Sequence, residues 1–537
     1  MARTKPDPRT VPGLLAEQRG KGTALIYRGR AWSYAELEEL GRRVAAGLKA
    51  RGIGPGDRVG IWLPNCPAYI LLYFACARLG AVAVAVNTRY RSVEVADIVT
   101  RARCRALAFW PGFRGIDFAA ILGAVDAPAL AGLDSLIVYE EADERAPTAP
   151  ELPGVATVAF ADLTDTPALD ADLSTPESPC NIFTTSGTTK APKFVLHKQS
   201  VIVRHARDVV RGFGYGAGDV RMLQTVPLCG VFGFNQYAAT VAAGAPTLML
   251  PAFDAEEAVR LINEHRVTHT AGADDMAERL LAVSDAPRPM PSLRHFAYAR
   301  FNAALIDIVE RAEARGVTLC GVYGSSELQA LFSVQPADAP AERRKLGGGV
   351  PVSRETRVRA RNPETGELLA HGEPGELEIR APSAMIGYDG NDEATRAAFT
   401  GDGYFRTGDL GYALEDGSFV YLSRAGDVLR LGGFLVNPAE IEAHLLTHDA
   451  VHGCQVVGVE TVRGTAPVAF VTLRSGASAD EAGLTAHCKG ALAGFKVPAR
   501  VFVIDAFPTT ESANGTKIQR GKLREMAQSR MGDEAAP

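Results

Sequence analysis

Helical stretches and short apolar strands alternate from residue 14 to residue 109, for example residues 34–50 followed by residues 58–63. A hairpin turn cannot connect two parallel strands, so parallel strands are usually joined through a helix. The alternation therefore predicts an α/β layer with parallel strands. It returns between residues 201 and 330, which predicts a second layer of the same kind.

Residues 68–86 are almost wholly apolar and long enough to span a bilayer. Arg78 and Gly80 interrupt the run at the point where a core helix would end and a buried strand, residues 81–86, would begin. We therefore interpret the segment as protein core and predict no membrane span.

The remaining sequence suggests two further units. Residues 125–153 are rich in Ala, Pro, Asp and Glu and predict a surface excursion. After about residue 346 short strands and Gly-rich turns predict a small β-rich subdomain, and strands and helices alternate again from residue 428. The predicted fold is α/β, with a large multi-subdomain N-terminal region over residues 1–425 and a smaller α+β C-terminal domain over residues 426–537.

Charge and cysteine usage restrict the class of protein. The 57 basic and 62 acidic residues give a net charge of −5, which favours neither nucleic acid nor a membrane surface as a partner. The eight cysteines lack paired spacing, as expected of reduced thiols, and the N-terminus lacks the apolar core of a secretory signal. We expect a cytoplasmic protein.

Residues 183–193 read Phe-Thr-Thr-Ser-Gly-Thr-Thr-Lys-Ala-Pro-Lys, between a strand-like segment and a later helix. Glycine lets backbone amides turn toward an anion, hydroxyls donate to its oxygens and lysine supplies charge, so the composition suits phosphate binding. The order differs from the usual nucleotide P-loop, and a surface turn is the alternative. The candidate phosphate-binding residues are Thr185, Ser186, Gly187, Thr188, Thr189 and Lys193.

Four later motifs accompany this loop. They read Gly-Val-Tyr-Gly-Ser-Ser-Glu at residues 321–327, Tyr-Phe-Arg-Thr-Gly-Asp-Leu-Gly at residues 404–411, Arg-Ala-Gly-Asp at residues 424–427 leading to Gly432-Gly433, and Asn-Gly-Thr-Lys at residues 514–517. Together they resemble the adenylate-forming superfamily of acyl-CoA ligases, luciferases and peptide-synthetase adenylation domains, most closely the acyl-CoA ligases. The resemblance spans nearly the whole chain and implies an AMP-forming acid–thiol ligase that uses ATP or an acyl-adenylate, Mg²⁺ and coenzyme A.

The resemblance also assigns roles that suit the residue types. A carboxylate is a natural acceptor for two ribose hydroxyls, so Asp409 is the expected ribose anchor, an Asx turn being the alternative. Glu327, helped by Thr188, would hold Mg²⁺ against phosphate oxygens. Arg424 would contact ribose or phosphate with its planar fork of donors. Tyr323 would stack on adenine, within an AMP site that it forms with Gly324, Ser325 and Ser326.

In this superfamily the small C-terminal domain rotates between two arrangements. The resemblance makes Lys517 the lysine that orients the substrate carboxylate, so the expected catalytic residues are Lys517, Arg424 and Glu327. A solvated tail lysine is the alternative, because other basic residues lie nearby. Gly426 occupies the hinge position, and Gly432 and Gly433 match the face where the pantetheine thiol enters.

Two positions of the loop depart from the family pattern, which has glycine where this chain has Lys190 and Phe194. A side chain there could obstruct the pyrophosphate half of ATP, while the expected AMP-binding residues are all retained. Two hypotheses stay open: a complete ligase, or a non-adenylating ligase that only converts a preformed acyl-adenylate, made by a separate adenylating enzyme, into acyl-CoA.

The acyl site also departs from the family. Gly230 stands where relatives often carry histidine, and residues 299–301 replace a Gly-Gly-Ala run. The added space predicts a bulky, largely apolar carboxylic acid. The expected acyl-site residues are Gly230, Phe232, Ala299, Arg300 and Phe301. An adenylate sensor without activity and a ligase that loads a carrier-protein arm are the other readings, although no fused Gly-x-Asp-Ser carrier motif follows Lys517.

Overall fold

The structure is a computed structural model that describes residues 5–141, 147–184, 192–301, 305–425, 429–431, 434–436, 438–461, 464–489, 491–512 and 515–532. It has the predicted mixed α/β architecture, with a large N-terminal region and a smaller C-terminal domain. Among the described residues no helix is both long enough and apolar enough to cross a membrane.

One sheet of the N-terminal region has eight described strands, mostly parallel. Its strands in spatial order are Gly387–Tyr388, Phe194–Lys198, Pro179–Thr184, Val82–Ala85, Arg58–Trp62, Cys104–Phe109, Ser135–Val138 and Ala156–Ala159.

The other sheet is parallel at its centre and continues into the antiparallel β-rich unit. Its thirteen described strands in spatial order are Arg357–Arg361, Gly375–Arg380, Phe405–Ala413, Phe419–Arg424, Gly347–Pro351, Gln329–Val334, Thr318–Ser325, His295–Ala299, His269–Ala273, Met222–Gln224, Thr247–Met249, Thr23–Tyr27 and Arg30–Ser33.

Helices cover the faces of these sheets. The described helices of the N-terminal region are Val11–Glu17, Tyr34–Ala50, Pro67–Leu79, Ser92–Arg101, Phe118–Gly123, Ala127–Leu130, Phe160–Thr164, Gln199–Gly212, Val231–Ala243, Ala255–Glu264, Asp274–Ala282, Ile308–Ala314, Ala341–Arg344 and Asp392–Ala398. A short hairpin pairs Gly112–Phe113 with Ile116–Asp117.

Two apolar helices lie in the interior of the N-terminal region. Every residue of Pro67–Leu79 is buried, and the ring of Tyr73 packs edge-on against Phe234 of the helix Val231–Ala243 at 5.0 Å. The helix Pro67–Leu79 ends at Gly80, whose φ of 66° is left-handed, and the strand Val82–Ala85 follows. The interpretation of residues 68–86 as core helix and buried strand is confirmed.

The C-terminal domain has a smaller core on both faces of a three-stranded sheet. The sheet pairs Val451–Thr461 with Gly464–Leu473 and then Arg500–Val503, and one apolar cluster lies on each face. The remaining described elements are the hairpins Leu429–Leu431 with Phe434–Val436 and Thr509–Ser512 with Gly515–Ile518, the helices Pro438–Leu445, Glu481–Lys489 and Arg520–Gly532, and the 3₁₀ turn Gly494–Lys496.

Two predictions about elements were wrong. Residues 125–153 are more than a surface excursion, because the apolar strand Ser135–Val138 pairs with Cys104–Phe109 inside the sheet. Residues 183–193 lead into a second strand, Phe194–Lys198, before the predicted helix begins at Gln199. That strand pairs antiparallel with Pro179–Thr184. Its formation depends on this partner strand, and its own five residues show no periodic pattern that would predict it.

All eight cysteines are free thiols and all are buried. Burial raises the pKa of each thiol, for example that of Cys229 to about 11. Cys229 therefore packs as a small apolar residue.

Candidate active site

A carboxylate and a guanidinium on two paired strands of the β-rich unit meet a phenol from the strand Thr318–Ser325 of the same sheet. Asp409 and Arg424 are directly opposite each other on the antiparallel strands Phe405–Ala413 and Phe419–Arg424, and Arg424 Nε lies 3.2 Å from Asp409 Oδ1. Tyr323, on Thr318–Ser325, donates its hydroxyl hydrogen to Asp409 Oδ2 at 2.5 Å. Three sequence motifs separated by up to about a hundred residues are thus brought into contact.

Asp409 lies within the strand Phe405–Ala413, although the nearby glycines Gly408 and Gly411 are typical of a turn. Gly408 has a left-handed φ of 66°, and the pairing with Gly375–Arg380 shifts register at this point. Such a bulge redirects the following side chain. The Asp409 backbone N–H donates to Thr407 Oγ1 at 3.0 Å, which fixes the carboxylate in its position.

The carboxylate of Asp409 is only partly satisfied by the protein. It is 4% exposed, and burial raises its pKa to about 6 although Arg424 and the Tyr323 hydroxyl act in the opposite direction. Oδ1 accepts no hydrogen bond from the described residues, because Arg424 approaches it outside hydrogen-bond geometry. A buried oxygen of this kind fits a ligand that brings its own hydroxyl donors.

A second polar group forms around Glu327. Tyr388 donates its hydroxyl hydrogen to Glu327 Oε1 at 3.0 Å, and Lys193 Nζ lies 4.5 Å from the centre of the Tyr388 ring. The other Glu327 oxygen accepts no hydrogen bond from the part of the chain that the structure describes, so it can accept a cation. The negative charge of Glu327 also contributes to the raised pKa of Asp409.

The small residues between Tyr323 and Glu327 allow close packing. A Cβ at Gly324 would lie 2.6 Å from Ala330 Cα, so only glycine fits there. Ser325 Oγ accepts a hydrogen bond from the Leu328 amide at 3.2 Å, and the Ser326 carbonyl oxygen lies 2.7 Å from Nε2 of the buried His197. The bend that carries Glu327 is therefore rigidly held.

Both ends of the hydroxyl-rich loop are anchored. The hydroxyls of Tyr90 and Thr184 lie 3.3 Å apart before the loop, and Arg101 donates to the Pro192 carbonyl at 2.9 Å after it. Phe194 is 2% exposed, and the guanidinium of Arg101 lies 4.3 Å from the centre of its ring. The Phe194 side chain therefore packs in the core and does not extend into an open phosphate site.

Several predicted residues lie outside the described residues. These are the loop positions Thr185, Ser186, Gly187, Thr188, Thr189 and Lys190, the hinge Gly426, and the glycines Gly432 and Gly433. Lys517 is described in its backbone alone, where it pairs with Thr510 in the hairpin Thr509–Ser512 with Gly515–Ile518.

The predicted acyl-site residues lie at one helix and one strand of the N-terminal region. Gly230 immediately precedes the helix Val231–Ala243, on which Phe232 is buried, and Ala299 ends the strand His295–Ala299. Arg300 is exposed, and the Phe301 amide donates to Asp274 Oδ2 at 2.9 Å. Asp274 is 1% exposed and was not identified from the sequence.

Sequence reasoning also missed Tyr388 and Arg101. Tyr388 belongs to a two-residue strand, Gly387–Tyr388, too short to show periodicity. Arg101 is one of many helix-end arginines, and only its contacts distinguish it. An alignment of relatives would have been the signal for either residue.

Neither the neighbouring histidines of the C-terminal domain nor a surface cleft forms a second site among the described residues. His444 stacks on His487 at 4.5 Å, and within the described residues no group of three or more His, Cys, Asp or Glu side chains could hold a metal ion. A surface cleft of about 430 Å³, lined by residues such as Asp57, Arg58 and Arg103, includes none of the site residues above.

Comparisons with known proteins identify the family of the chain. A family profile described as "AMP-binding enzyme" matches residues 15–389, and one described as "AMP-binding enzyme C-terminal domain" matches residues 440–514. A 7a-methyl-1,5-dioxo-octahydro-indenyl propanoyl:CoA ligase of Mycobacterium tuberculosis is 33% identical over 534 residues, which cover 97% of this chain and 99% of that protein.

Solved structures show the same architecture. An anthranilate CoA ligase in complex with anthranoyl-AMP superposes with a TM-score of 0.83 at 26% identity, covering 97% of this chain and 98% of that one. A benzoate CoA ligase from Burkholderia xenovorans LB400 gives a TM-score of 0.78 at 26% identity, covering 95% and 98% of the two chains.

Proposed function

The chain belongs to the AMP-binding enzyme family, and on this premise we propose that it joins a bulky, largely hydrophobic carboxylic acid to coenzyme A through an acyl-adenylate. The observation that carries the proposal is the contact of the buried Asp409 with the buried Tyr323 and with Arg424, whose side chain is exposed. The unsatisfied carboxylate oxygen of Asp409 and the adjacent guanidinium suit the ribose and phosphate of AMP.

The proposed reaction has two steps on one site. The carboxylate of the acid attacks the α-phosphate of ATP and pyrophosphate leaves; the CoA thiol, after losing its proton, then attacks the acyl carbonyl and AMP leaves. Lys517 orients the carboxylate and stabilises the charge that develops in the first step, and Arg424 stabilises the phosphate. Glu327, with Thr188, is the proposed holder of Mg²⁺, which would neutralise phosphate charge when bound.

Rotation of the C-terminal domain at Gly426 is the proposed means of changing between the steps. The boundary at residues 425/426 separates Arg424, which contacts Asp409, from a domain with its own apolar clusters. In the second arrangement Gly432 and Gly433 would line the entry of the pantetheine arm, since glycine admits a narrow ligand.

The proposed acid follows from the acyl-site residues. Gly230 lacks the side chain that relatives place at the start of the buried helix Val231–Ala243, while Phe232 supplies an apolar wall. The name of the Mycobacterium tuberculosis relative specifies a fused-ring propanoyl group with two oxo substituents, a bulky acid of the proposed class. Arg300 could meet a polar substituent of this kind.

A panel of acids tests this proposal. The protein would be incubated with ATP, Mg²⁺, CoA and fused-ring, aryl or short-chain acids, and acyl-CoA would be measured by mass spectrometry. We expect fused-ring or aryl acids to give the highest kcat/KM. Preference for acetate or propionate would contradict the bulky-acid proposal.

The second candidate is a ligase restricted to the thioester step, with a separate enzyme supplying the adenylate. Lys190 motivates it, but Phe194 does not, because its ring is buried beneath Arg101. Pyrophosphate exchange with the preferred acid distinguishes the candidates. Exchange supports the complete ligase; thioester formation from synthetic adenylate, without exchange, supports the restricted one. Failure of both reactions would favour an adenylate sensor.

A further inference from the structure

Tyr388 contacts two groups that the proposed function places at the phosphate end of the nucleotide. Its ring lies beneath Lys193 Nζ at 4.5 Å, and its hydroxyl donates to Glu327 Oε1 at 3.0 Å. One side chain thus contacts both the lysine that ends the phosphate loop and the carboxylate proposed for Mg²⁺. The ring also packs in the apolar cluster of the β-rich unit.

The backbone around Tyr388 fixes the orientation of the ring. Tyr388 pairs with Val195 across the strands Gly387–Tyr388 and Phe194–Lys198, and its amide donates to Thr395 Oγ1 at 2.9 Å. The Met385 amide donates to the Glu327 carbonyl at 2.8 Å, which ties the same segment to the bend that carries Glu327. With a side chain that is 5% exposed, Tyr388 has little freedom to adopt another rotamer.

The chemistry of the two contacts is complementary. A cation held over an aromatic face keeps its donors available to an anion, because the ring occupies one side only. A phenol that donates to one carboxylate oxygen fixes the direction of the other oxygen. Burial and the nearby Glu327 carboxylate also raise the pKa of Tyr388, so the phenol remains a hydrogen-bond donor.

We propose that Tyr388 is a positioning residue that holds Lys193 and Glu327 in the arrangement that binds the β- and γ-phosphates of ATP with their Mg²⁺. The inference rests on the proposed function, since it needs a nucleotide triphosphate to bind at this site. It assigns to Tyr388 a role for the phosphate end alone and leaves the AMP end to Asp409, Arg424 and Tyr323.

Two substitutions separate the two contacts. Tyr388→Phe removes the hydrogen bond to Glu327 and keeps the ring beneath Lys193, whereas Tyr388→Leu removes both. Binding of Mg²⁺ with a non-hydrolysable ATP analogue, and of AMP as a second probe, would be measured by calorimetry on the full chain. Tyr412→Phe is the matched control, because Tyr412 is a half-buried tyrosine on the strand Phe405–Ala413 of the thirteen-stranded sheet, without a described hydrogen bond.

We expect Tyr388→Phe to weaken binding of the Mg²⁺-loaded analogue about tenfold and Tyr388→Leu to weaken it further by a similar factor. The Phe variant should bind the metal-free analogue as the wild type does, and both variants should bind AMP unchanged. In a Glu327→Gln background, Tyr388→Phe should have no additional effect on the Mg²⁺ dependence. A general loss of structure would instead weaken AMP binding in parallel.

Unchanged binding of the Mg²⁺-loaded analogue by Tyr388→Phe, or an equal loss of AMP binding, would overturn the inference. So would a wild type that binds no analogue. Absence of both pyrophosphate exchange and acyl-CoA formation in the wild type would refute the proposed function separately, because the calorimetric comparison does not depend on turnover.

Discussion

At the residue scale, two buried carboxylates of the β-rich unit show how the number of donors sets protonation. Glu378 is fully buried, yet Arg359 and Arg361 donate to it and keep its pKa below the usual value despite desolvation. Asp409 is almost equally buried but has one hydroxyl donor and one guanidinium at the edge of contact, so its pKa rises to about 6. The under-coordinated carboxylate is the one that a ligand can complete.

Asp409→Asn should therefore weaken AMP binding about 100-fold, because charge-assisted hydrogen bonds to the ribose hydroxyls are lost. Wild-type affinity should fall as pH decreases through about 6, where the carboxylate takes up a proton, and the Asn variant should lack this pH dependence. Calorimetric titration with AMP across this pH range measures both effects.

Asp416→Asn is the control for this change, since Asp416 lies in the exposed turn between the same two strands. It should bind AMP with wild-type affinity at every pH. An Asp409→Asn variant with wild-type affinity would remove Asp409 from the nucleotide site.

At the element scale, the sequence predicts what periodicity and local chemistry encode. The helix Pro67–Leu79 and its following strand were predicted because an apolar run, a charge and a glycine occur in order. Asp409, Glu327 and Tyr323 were identified from motifs, and the contact between Asp409 and Tyr323 could be expected from the resemblance alone. The strand Gly387–Tyr388 and the role of Phe194 were not predictable, because both depend on partners far away in sequence.

The hairpin that carries Lys517 is attached to the domain core by the first residue of the next helix. Arg520 Nη2 lies 2.8 Å from Glu442 Oε1, and the Val456 amide donates to the same oxygen at 2.9 Å. Arg520 Nε donates to Gln455 Oε1 at 3.1 Å. Glu442 is 1% exposed, so this ion pair is screened little by solvent. The contacts fix the start of Arg520–Gly532, three residues after the lysine.

Glu442→Gln should loosen this attachment and lower the rate of adenylate formation about tenfold, as judged by pyrophosphate exchange, because Lys517 is then less well oriented. Conversion of synthetic acyl-adenylate to acyl-CoA should change little, since that step does not use the lysine. Glu440→Gln is the control. Glu440 lies on the same helix as Glu442 and forms an ion pair with Lys496 at the surface. Equal loss of both half-reactions would indicate general damage to the domain.

At the scale of the whole molecule, buried histidines couple stability to pH. His197, His205, His269 and His295 are buried, and desolvation lowers the pKa of each to about 4 or about 3. The last two pair across parallel strands of the large sheet. All four are neutral in the folded protein at neutral pH but titrate near pH 6.5 when unfolded, so the unfolded state binds more protons in acid.

The free energy of unfolding should therefore decrease as pH falls from about 6.5 toward about 4, by about 2 kcal/mol per fully buried histidine at pH about 5. Asp409 acts in the opposite direction, since its pKa is higher in the folded state and its uptake of a proton stabilises the fold by about 1.4 kcal/mol as pH falls from about 7.5 to about 5. The histidines outweigh it. Urea denaturation at pH about 7.5 and about 5 measures the difference.

His205→Gln should make the decrease in the free energy of unfolding at acid pH smaller by about 2 kcal/mol, because one buried titrating group is removed. The partly exposed His265→Gln should leave it unchanged. Equal urea midpoints for the wild type at the two pH values would show that the buried histidines do not control acid stability.

Because every native thiol is enclosed by the core and resists ionisation, we expect the native cysteines to react little with maleimide dyes. A single cysteine introduced at the surface of the N-terminal region, and another at the surface of the C-terminal domain (the small lobe), would thus be labelled selectively without deleting any natural one. Energy transfer between two such fluorophores could then follow the small lobe in real time, with the enzyme's own sulfur atoms left in place.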